Sequence, residues 1–571
     1  MALRTVSGWI NKKKQPSLVL TLSATALLIG AGSAAYWFFT HTQPSARNLP
    51  VGVNIIPQDA LFTISLTTDT QEWSKLKQLA KTATKSEVEK NLLQLKNRFL
   101  KNNGYDFDQD IKPWVGDEVT IAVLPGNVFN AESKPLENNQ TVPQTIPQQS
   151  MMMVLPIKKS EFADKLLTQP QLLKQGKWVE SNYQGITIKQ TETKTGEKLA
   201  AAVINQQFLV ITDDIKTTEK TIDSYQNQTS LSQLTSFAEN VSKINADKPF
   251  AQFYINIPTA AKIAAQTPNN ALPAQVLTQL KSNQGLAGKL ILEPKGMRLK
   301  GVSWLNPNSQ RLLAVENKAV NMQNLLPSET LMMFSGSNLS RFWYDYNSTA
   351  KGNNLAPVKP EELRKNVKSL LNLDLEKDLL NWMSGEFSVA IIPNSPKDAT
   401  PDNFRAGLVF MVKTGNSESE KRKSAENTLA KLNDVVKNQY QFQVQPANIN
   451  GQDVVNWISP FGTLTATYGW LNDDVLFFVF GAPVTDKIVL SSQSKLASNL
   501  SFKESINQEL KPANSLLFMD MRQEVKNLIF NPGLFGKNTF LSEVKTIGLT
   551  TKVNNNRSQE YDIMLEFQGN E

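Results

Sequence analysis

Residues that could act as nucleophiles, bases or metal ligands are scarce in this chain. Its 571 residues include no cysteine and one histidine, His41. The lack of cysteine excludes disulfides, thiolate metal sites and cysteine nucleophiles. The single histidine excludes most Ser–His and His-ligated metal chemistry from the rest of the chain. His41 stands beside an apolar segment and is predicted to be a solvated linker residue.

One cluster of acidic residues has the spacing of the start of a calcium loop. Asp106, Asp108 and Asp110 alternate, and Asp117 falls at the twelfth position, so their oxygens could surround a hard cation. The sixth position, where the sharp turn requires glycine, is Ile111. The same acids could instead cap the short helix that carries the next tryptophan, and the sequence favours that interpretation. A similar acidic run occurs further along the chain: Asp374, Glu376 and Asp378.

Serine activation without histidine requires a nearby lysine, as in the Ser-x-x-Lys and Lys-Thr-Gly elements of penicillin-recognising enzymes. Such short matches occur in this chain at Ser74–Lys77, Lys194–Gly196, Lys413–Gly415 and Ser492–Lys495. Short matches are expected by chance in a lysine-rich chain, and no convincing Ser-x-Asn element separates these. We interpret them as turns and helix surfaces.

Aromatic and carboxylate residues offer two further kinds of site. Trp73 and Trp114 have counterparts far along the chain, Trp343 and Trp382, and such rings either pack in a core or stack on a ligand. Core packing is the default. The adjacent acids Asp117-Glu118 could take part in acid–base cleavage of glycans only if another acid faced them across a cleft. We therefore assign no catalytic, cofactor-binding or metal-binding residue and predict no cofactor.

The elements that would position these residues come from an internal duplication. Pro57 and Trp73 recur at Pro327 and Trp343, a displacement of 270 residues. The run from Asp110 to Pro125 resembles the run from Asp378 to Pro393, and its Asp, Trp, Glu and Pro all shift by 268. An offset held over such a length predicts duplication of a whole domain. We predict two repeat units at residues 51–316 and 317–571.

Within each repeat, short apolar runs such as Val119–Leu124 alternate with helical periodicity. Several runs are separated by turn residues as in hairpins, for example Glu293-Pro294-Lys295-Gly296. This pattern predicts an α+β fold: one N-terminal transmembrane helix followed by two tandem duplicated α+β domains with mainly antiparallel sheets.

The N-terminal 50 residues have the pattern of a membrane anchor. Ser17–Phe39 carries no charge and as a helix would span roughly 34 Å, enough for a bilayer core. Lys12-Lys13-Lys14 precedes it, which predicts a cytoplasmic basic segment at residues 1–16, a transmembrane helix at 17–39 and a linker at 40–50. A cleaved signal peptide ending near Ser33-Ala34-Ala35 is the alternative. The repeats are then periplasmic or lumenal.

Two patterns carry a family resemblance: Pro57-Gln58-Asp59-Ala60-Leu61 and Trp114-Val115-Gly116-Asp117-Glu118. With the basic N-terminus and apolar segment, they resemble an uncharacterised family of single-pass, extracytoplasmic bacterial proteins found largely in cyanobacteria. The resemblance covers most of residues 50–570. It implies a cell-envelope or thylakoid-membrane setting and transfers no activity and no site residues.

The sequence leads to one functional hypothesis and two alternatives. The formal net charge of +8 lies largely in the first 50 residues, so no nucleic-acid partner is predicted. We predict a membrane-anchored extracytoplasmic binding or scaffold protein of the cell envelope. Its expected partners are the lipid bilayer, through the N-terminal helix, and an envelope or membrane protein. The alternatives are a carboxylate-dependent enzyme acting on envelope polymers and a carrier of an apolar ligand.

Overall fold

The computed structural model describes part of the chain. The described residues are 49–79, 109, 111–125, 149–158, 161, 179–192, 198–265, 282–350, 359–394, 405–461, 464–490, 494–521 and 543–567. The chain divides into two compact units. The first comprises residues 50–68 and 91–233, and the second comprises residues 69–90 and 234–571.

The first unit is built on one antiparallel sheet in the order β1-β2-β3-β7-β6-β5-β4. Its central strands are short apolar runs buried on both faces, whereas the edge strand β4 is polar and exposed. The strand bounds are β1 Phe62–Thr67, β2 Glu118–Leu124, β3 Ser150–Pro156, β4 Val179–Tyr183, β5 Ile186–Glu192, β6 Lys198–Ile204 and β7 Phe208–Thr212.

The second unit holds an antiparallel sheet in the order β8-β9-β10-β20-β19-β18-β11-β12-β13-β17-β16-β15-β14. Pro446 lies within its edge strand β14, where a residue without an N–H donor is tolerated. The strand bounds are β8 Ala251–Asn256, β9 Asn283–Glu293, β10 Gly296–Leu305, β11 Met332–Gly336, β12 Phe387–Pro393, β13 Ala406–Lys413, β14 Gln443–Ile449, β15 Gln452–Ile458, β16 Leu464–Leu471, β17 Val475–Gly481, β18 Ser515–Asp520, β19 Val544–Asn555 and β20 Ser558–Phe567.

Helices connect the strands, and side chains cap several of them. Asp214, Ser419 and Asn499 accept backbone N–H bonds at the starts of α2, α7 and α9, which satisfies donors that a helix leaves free. The helix bounds are α1 Thr70–Leu79, α2 Ile215–Gln226, α3 Thr235–Val241, α4 Ile257–Ala265, α5 Leu339–Ala350, α6 Pro360–Leu371, α7 Glu420–Asn438, α8 Thr485–Val489 and α9 Leu500–Ser505, with a π-helical turn at Leu375–Leu380.

The order of elements recurs along the chain. The strands β1–β10 and their pairings within each hairpin and meander have counterparts in β11–β20. For example, β3 pairs with β7 as β13 pairs with β17. The duplication in the sequence therefore has a counterpart in the order of strands, while the residue boundaries of the repeats stay predictions.

The prediction of two separate tandem α+β domains was wrong. Strands β8–β10 come from the first repeat but lie in the second unit, and β10 pairs with β20 from Gly296↔Glu566 to Trp304↔Ser558. The last strand of a repeat has a free edge whose N–H and C=O groups need partners, and here each repeat provides that partner for the other. The fold is mostly antiparallel sheet with connecting helices.

The prediction of a transmembrane helix is also corrected. Residues 17–39 lie outside the described part of the chain. Among the residues that the structure does describe, no helix combines the length and apolar character needed to cross a bilayer. The membrane, single-pass and signal-anchor assignments have no support and are withdrawn.

Candidate functional site

The Trp-x-Gly-Asp-Glu motif and its counterpart are parts of the folding framework. Trp114 and Trp382 are both buried. Glu118 accepts the backbone N–H of Val51 at 3.3 Å, and Glu386 accepts that of Asn321 at 2.8 Å. In both repeats the glutamate thus holds the segment that precedes the first strand. A motif that the sequence offered as a carboxylate site is a structural anchor.

The anchor in the second repeat predicts a particular pH dependence. Burial raises the pKa of Glu386, and N–H bonds from Asn321 and Met322 offset part of that rise. Since the folded state binds this proton more tightly, the free energy of unfolding falls as pH rises from the unfolded pKa through the folded pKa. Glu386→Gln keeps an acceptor and is expected to remove that fall, measured as the urea midpoint between about pH 3 and 7.

Asp378→Asn is the matched control because the pKa of Asp378 shifts the other way. The backbone N–H of Asp374 and the ammonium of Lys431 lower the pKa of Asp378. Its contribution is present above the unfolded pKa and is lost as pH falls through the folded pKa. Glu386→Gln should therefore change the range in which the free energy of unfolding falls as pH rises. Asp378→Asn should change the range in which it falls as pH falls. If the free energy of unfolding of both variants depended on pH in the same way, the assignment of Glu386 would be wrong.

The Pro-acid pattern at the start of each repeat also has a structural role. Asp59 pairs with Lys220 of α2 at 2.6 Å, and Glu329 pairs with Lys487 of α8 at 2.6 Å. The two pairs occupy equivalent places in the two repeats. Each ties the turn before the first strand to a helix that follows the sheet meander. The pattern therefore marks the fold rather than a reaction.

The other two tryptophans that recur between the repeats, Trp73 and Trp343, make contacts within the protein. Trp73 is buried with its ring 4.7 Å from that of Phe250. Trp343 is half-buried, donates its Nε1–H to Glu376 at 3.1 Å and lies beneath the guanidinium of Arg364. Trp73 thus packs against another ring, and Trp343 uses one face and its N–H in contacts within the protein. They favour the packing interpretation over a ligand-stacking platform.

The acids with calcium-like spacing have separate structural roles where they are described. Asp374 caps the π-helical turn by accepting the N–H of Lys377 at 2.8 Å, and Asp378 pairs with Lys431 at 3.0 Å. Asp106, Asp108 and Asp110 lie outside the described residues. In the part of the chain that the structure describes, no three acidic, histidine or cysteine side chains group around a potential metal position.

The serine and lysine matches serve as local structure. Ser74 donates to the carbonyl of Thr70 within α1, and Lys413 pairs with Asp474 at 2.8 Å at the end of β13. Lys495 donates to the carbonyl of Leu490. His41, Lys194–Gly196 and Ser492 lie outside the described residues. These contacts give no sign of a serine activated by lysine.

A cavity of about 300 Å³ in the second unit is lined by acids that are already paired. Glu504 contacts Lys295 at 2.8 Å, and Glu566 contacts Lys545 at 2.9 Å. The third acid, Glu293, contacts Arg298 at 2.5 Å. Because every lining carboxylate has a cation beside it, these acids form ion pairs and are not arranged as a general acid facing a general base. The lining residues are Glu293, Pro294, Lys295, Glu504, Ser505, Met564 and Glu566.

A more distinctive feature of the second unit is a half-exposed apolar surface on its sheet. Phe480, Leu408 and Ile391 lie side by side on β17, β13 and β12. Leu408 is 45% exposed and Phe480 is 38% exposed, although both lie within the sheet. We define the open apolar face as Phe334, Phe342, Val389, Ile391, Leu408, Phe410 and Phe480.

Aromatic contacts give this face a fixed form. Phe342 of α5 lies 5.4 Å from Phe334 of β11, and its ring is 45% exposed. Phe480 stacks on Phe478 at 5.7 Å with nearly parallel rings. Contacts of this kind hold each ring in a defined position.

The corresponding face of the first unit is closed. Its equivalent side chains occupy the matching rows on β1, β2 and β3 and are all less than one-tenth exposed: Phe62, Ile64, Ile121, Val123, Met151 and Met153. At the position of Phe480 the first repeat has Asp213, whose backbone and side chain bond to Met151. The open apolar face is therefore a property of the second repeat and not a general consequence of the fold.

The comparisons with known proteins identify the family. A family described as "Protein of unknown function (DUF3352)" matches residues 20–567. The chain belongs to this family. The predicted resemblance to an uncharacterised family is confirmed, and its cyanobacterial distribution and extracytoplasmic placement stay predictions. No curated protein matches the chain.

Solved structures give a weak similarity to part of this DUF3352 chain. Crystal form I of TP0453 is 11% identical with a TM-score of 0.24, covering 46% of this chain and 81% of that one. Crystal form III is 9% identical with a TM-score of 0.21, and form IV is 8% identical with a TM-score of 0.22. Forms III and IV also cover 46% of this chain, and 83% and 87% of their own. Scores of this size support no inference about function.

Sequence reasoning missed the open apolar face of this DUF3352 chain for a physical reason. The run Val475–Phe480 is apolar at every position, so it lacks the alternation that separates a buried from a solvated face. Such a run predicts a strand buried on both sides. The signal that could have indicated the face is a polar residue in the first repeat where the second repeat has Phe480. The offset of 268 residues gives Thr212 at this position, and the strand register gives Asp213.

Proposed function

We propose that this protein is a non-catalytic binding protein whose open apolar face holds an amphipathic helix of a partner protein. The observation that carries the proposal is the exposure of Leu408, Phe480 and Phe342 beside half-buried neighbours, whereas Met151, the counterpart of Leu408 in the first repeat, is buried. Contiguous exposed apolar surface of this kind is typical of interaction sites. The proposed binding mode is an amphipathic helix that lies across a hydrophobic surface.

The dimensions of the face suit a helix. Neighbouring strands lie about 4.8 Å apart, so β12, β13 and β17 together span roughly 10 Å, which is close to the diameter of an α-helix. The side chains of the open apolar face occupy two rows, Phe480–Leu408–Ile391 and the partly buried Phe410–Val389–Phe334. A single acyl chain would cover one row only. The two rows favour a helix over an acyl chain.

The cell-envelope setting remains part of this proposal. The cyanobacterial distribution and the extracytoplasmic placement come from the family resemblance, and a protein partner of the envelope is consistent with them. A reporter enzyme fused after Glu571 would test the placement, since activity restricted to the cytosol would exclude a periplasmic or lumenal partner.

The helix-binding proposal predicts site-specific crosslinking. Because the chain contains no cysteine, Leu408→Cys provides a single attachment point for a benzophenone photocrosslinker. Illumination of membranes and extracts containing the full-length protein is expected to give one discrete protein adduct. Its crosslinked peptide should have apolar residues at helical spacing, which peptide mass spectrometry checks.

The matched control is Leu500→Cys on α9, where Leu500 is 67% exposed and outside the open apolar face. Adding Phe480→Asp to Leu408→Cys should weaken adduct formation by about tenfold or more, because a central apolar anchor is lost. A lipid adduct in place of a peptide would favour the carrier alternative. No adduct, or the same adduct from position 500, would refute the proposal.

A further inference from the structure

The sheet of the first unit ends at β4, which pairs with β5 and with no other strand in the described part of the chain. The hairpin between them has a two-residue turn, Gln184-Gly185, with positive φ at both positions. In such a hairpin the residues that flank the turn bond to each other, and bonding alternates along the strands. Glu180 and Asn182 therefore direct their backbone N–H and C=O groups away from β5. No described residue bonds to these outward backbone groups, so β4 has an open edge.

The second repeat has an equivalent edge strand, β14, which pairs with β15. Its hairpin also has a two-residue turn with positive φ at both positions. Asn448 accepts the N–H of Gly451 at 3.0 Å, and Asn182 accepts that of Gly185 at 3.1 Å. The shared turn and the shared hydrogen bond align the two hairpins residue by residue.

This alignment places Pro446 of β14 at the position of Glu180 of β4. Proline has no N–H for an added strand, and a proline at such a position is one way in which proteins protect a sheet edge. Lysine side chains and bulges serve the same purpose, and β4 has neither, since its register is continuous. The one charge of β4, Glu180, pairs with Lys189 at 3.2 Å. The edge of the second repeat is thus blocked at a position where the edge of the first repeat offers a donor.

The residues of β4 suit pairing with a second copy of the same strand. An antiparallel pair centred on Ser181 places Glu180 opposite Asn182 of the partner subunit, so every outward N–H of both copies has an acceptor. The same register places Val179, which is 62% exposed, opposite Tyr183 of the partner subunit. An aromatic residue opposite a β-branched residue is a favourable cross-strand pair. A register centred on Glu180 would place two carboxylates opposite each other and is disfavoured.

We propose that β4 is a docking edge for a second copy of this chain, with a two-fold axis at Ser181. The pairing uses the outward donors and acceptors, opposes no like charges and covers the exposed Val179. It involves no residue of the open apolar face, so each dimer carries two such faces, one from each copy. A strand of five residues buries less area than a standard interface, and the dimer is therefore expected to depend on concentration.

Disulfide trapping tests this pairing in the full-length chain, which has no cysteine of its own. In the proposed register Ser181 lies opposite Ser181 of the partner subunit in a non-hydrogen-bonded pair. Such a pair has about 4.5 Å between Cα atoms, a distance that a disulfide spans. Ser181→Cys is expected to form a covalent dimer under mild oxidation, detected by non-reducing electrophoresis and located by peptide mass spectrometry.

Val179→Cys is the matched control because position 179 is also exposed and lies on the same strand. In the proposed register its two copies are separated by about 13 Å along the strand, which is too far for a disulfide. Random collisions would crosslink position 179 as readily as position 181. A dimer from Ser181→Cys but not from Val179→Cys is the expected result.

Transfer of the proline tests the role of the free donor. Glu180→Pro in the Ser181→Cys variant gives β4 the block found in β14 and removes one donor from each copy. The rate of disulfide formation is expected to fall about tenfold. Glu180→Gln in the same variant keeps the N–H and should leave the rate unchanged, and equal urea midpoints would verify that both variants are folded.

Three results would overturn the proposal: no dimer from Ser181→Cys, equal dimer formation at positions 179 and 181, or equal rates with proline and glutamine at position 180. If Glu180→Pro did not fold, the comparison of positions 181 and 179 would still decide. Crosslinking from Leu408 does not depend on any of these outcomes.

Discussion

Arg298→Ala is expected to destabilise the second unit by about 3–5 kcal/mol, because it leaves a buried carboxylate without its cation. Arg298 of β10 contacts Asp562 of β20 at 2.7 Å, and the Asp562 side chain has no solvent exposure. Arg298 also bonds to Glu293 and to the carbonyl of Glu504. Hydrogen-exchange mass spectrometry should show loss of protection in peptides covering β10 and β20 first.

A surface pair provides the control for this experiment. Lys431→Ala removes a partner of Asp378, but the Lys431 side chain is 58% exposed, so water replaces the lost contact. The expected change is only about 0–1 kcal/mol. If Lys431→Ala and Arg298→Ala destabilised the protein equally, burial of the Arg298–Asp562 pair would not be the cause.

A double substitution separates lost pairing from lost packing. Arg298→Met with Asp562→Leu removes both charges and keeps apolar volume where β10 pairs with β20. The double variant is expected to recover most of the stability lost in Arg298→Ala. The contribution of the Asn507 bond to Asp562 is not recovered. A double variant as unstable as the single one would indicate that the volume of Arg298, rather than its charge, matters.

The position of this pair explains why the sequence could not predict how the repeats join. The displacement of 268 residues relates equivalent positions, and it indicates nothing about which strand edges pair. Lys300↔Asp562 and Arg298↔Met564 face each other only because β10 and β20 align antiparallel. Such a register depends on long-range pairing, which leaves no periodic signal in either strand.

Local features were predictable where a short apolar run was bounded by turn residues. The run Val119–Leu124 predicted the strand that the structure places at Glu118–Leu124. Turn residues such as Glu293-Pro294-Lys295-Gly296 predicted the hairpin between β9 and β10. Both signals act over a few residues. Whether a sheet face is covered depends on distant segments, which is why exposure at Leu408 could not be predicted.

The candidate sites that fall within the described residues have structural roles for a related reason. Residue type and spacing indicate what a side chain could do, whereas its partners decide what it does. Glu386 has the chemistry of a general acid, but backbone N–H groups occupy it. Asp378 has the spacing of a calcium ligand, but it accepts a backbone N–H and pairs with Lys431. In both cases the partner is set by tertiary packing.

Trp382→Ala is expected to lower the free energy of unfolding by about 3–5 kcal/mol, the usual effect of removing a buried large aromatic side chain. Trp382 is 2% exposed and belongs to a core with Leu429 of α7. Its Nε1–H donates to the carbonyl of Asp378 at 2.9 Å and to Thr428 at 3.3 Å. Urea denaturation followed by near-ultraviolet circular dichroism measures the change.

Two further variants distinguish packing from a ligand platform. Trp382→Phe keeps much of the apolar volume but loses the donated hydrogen bonds, so a smaller loss of about 1–3 kcal/mol is expected. Trp343→Ala at the half-buried position of α5 should cost less than Trp382→Ala, because solvent already reaches part of that ring. If Trp382→Ala left stability unchanged, the ring would not be part of the core. A recurring tryptophan would then require a ligand to explain its place in both repeats.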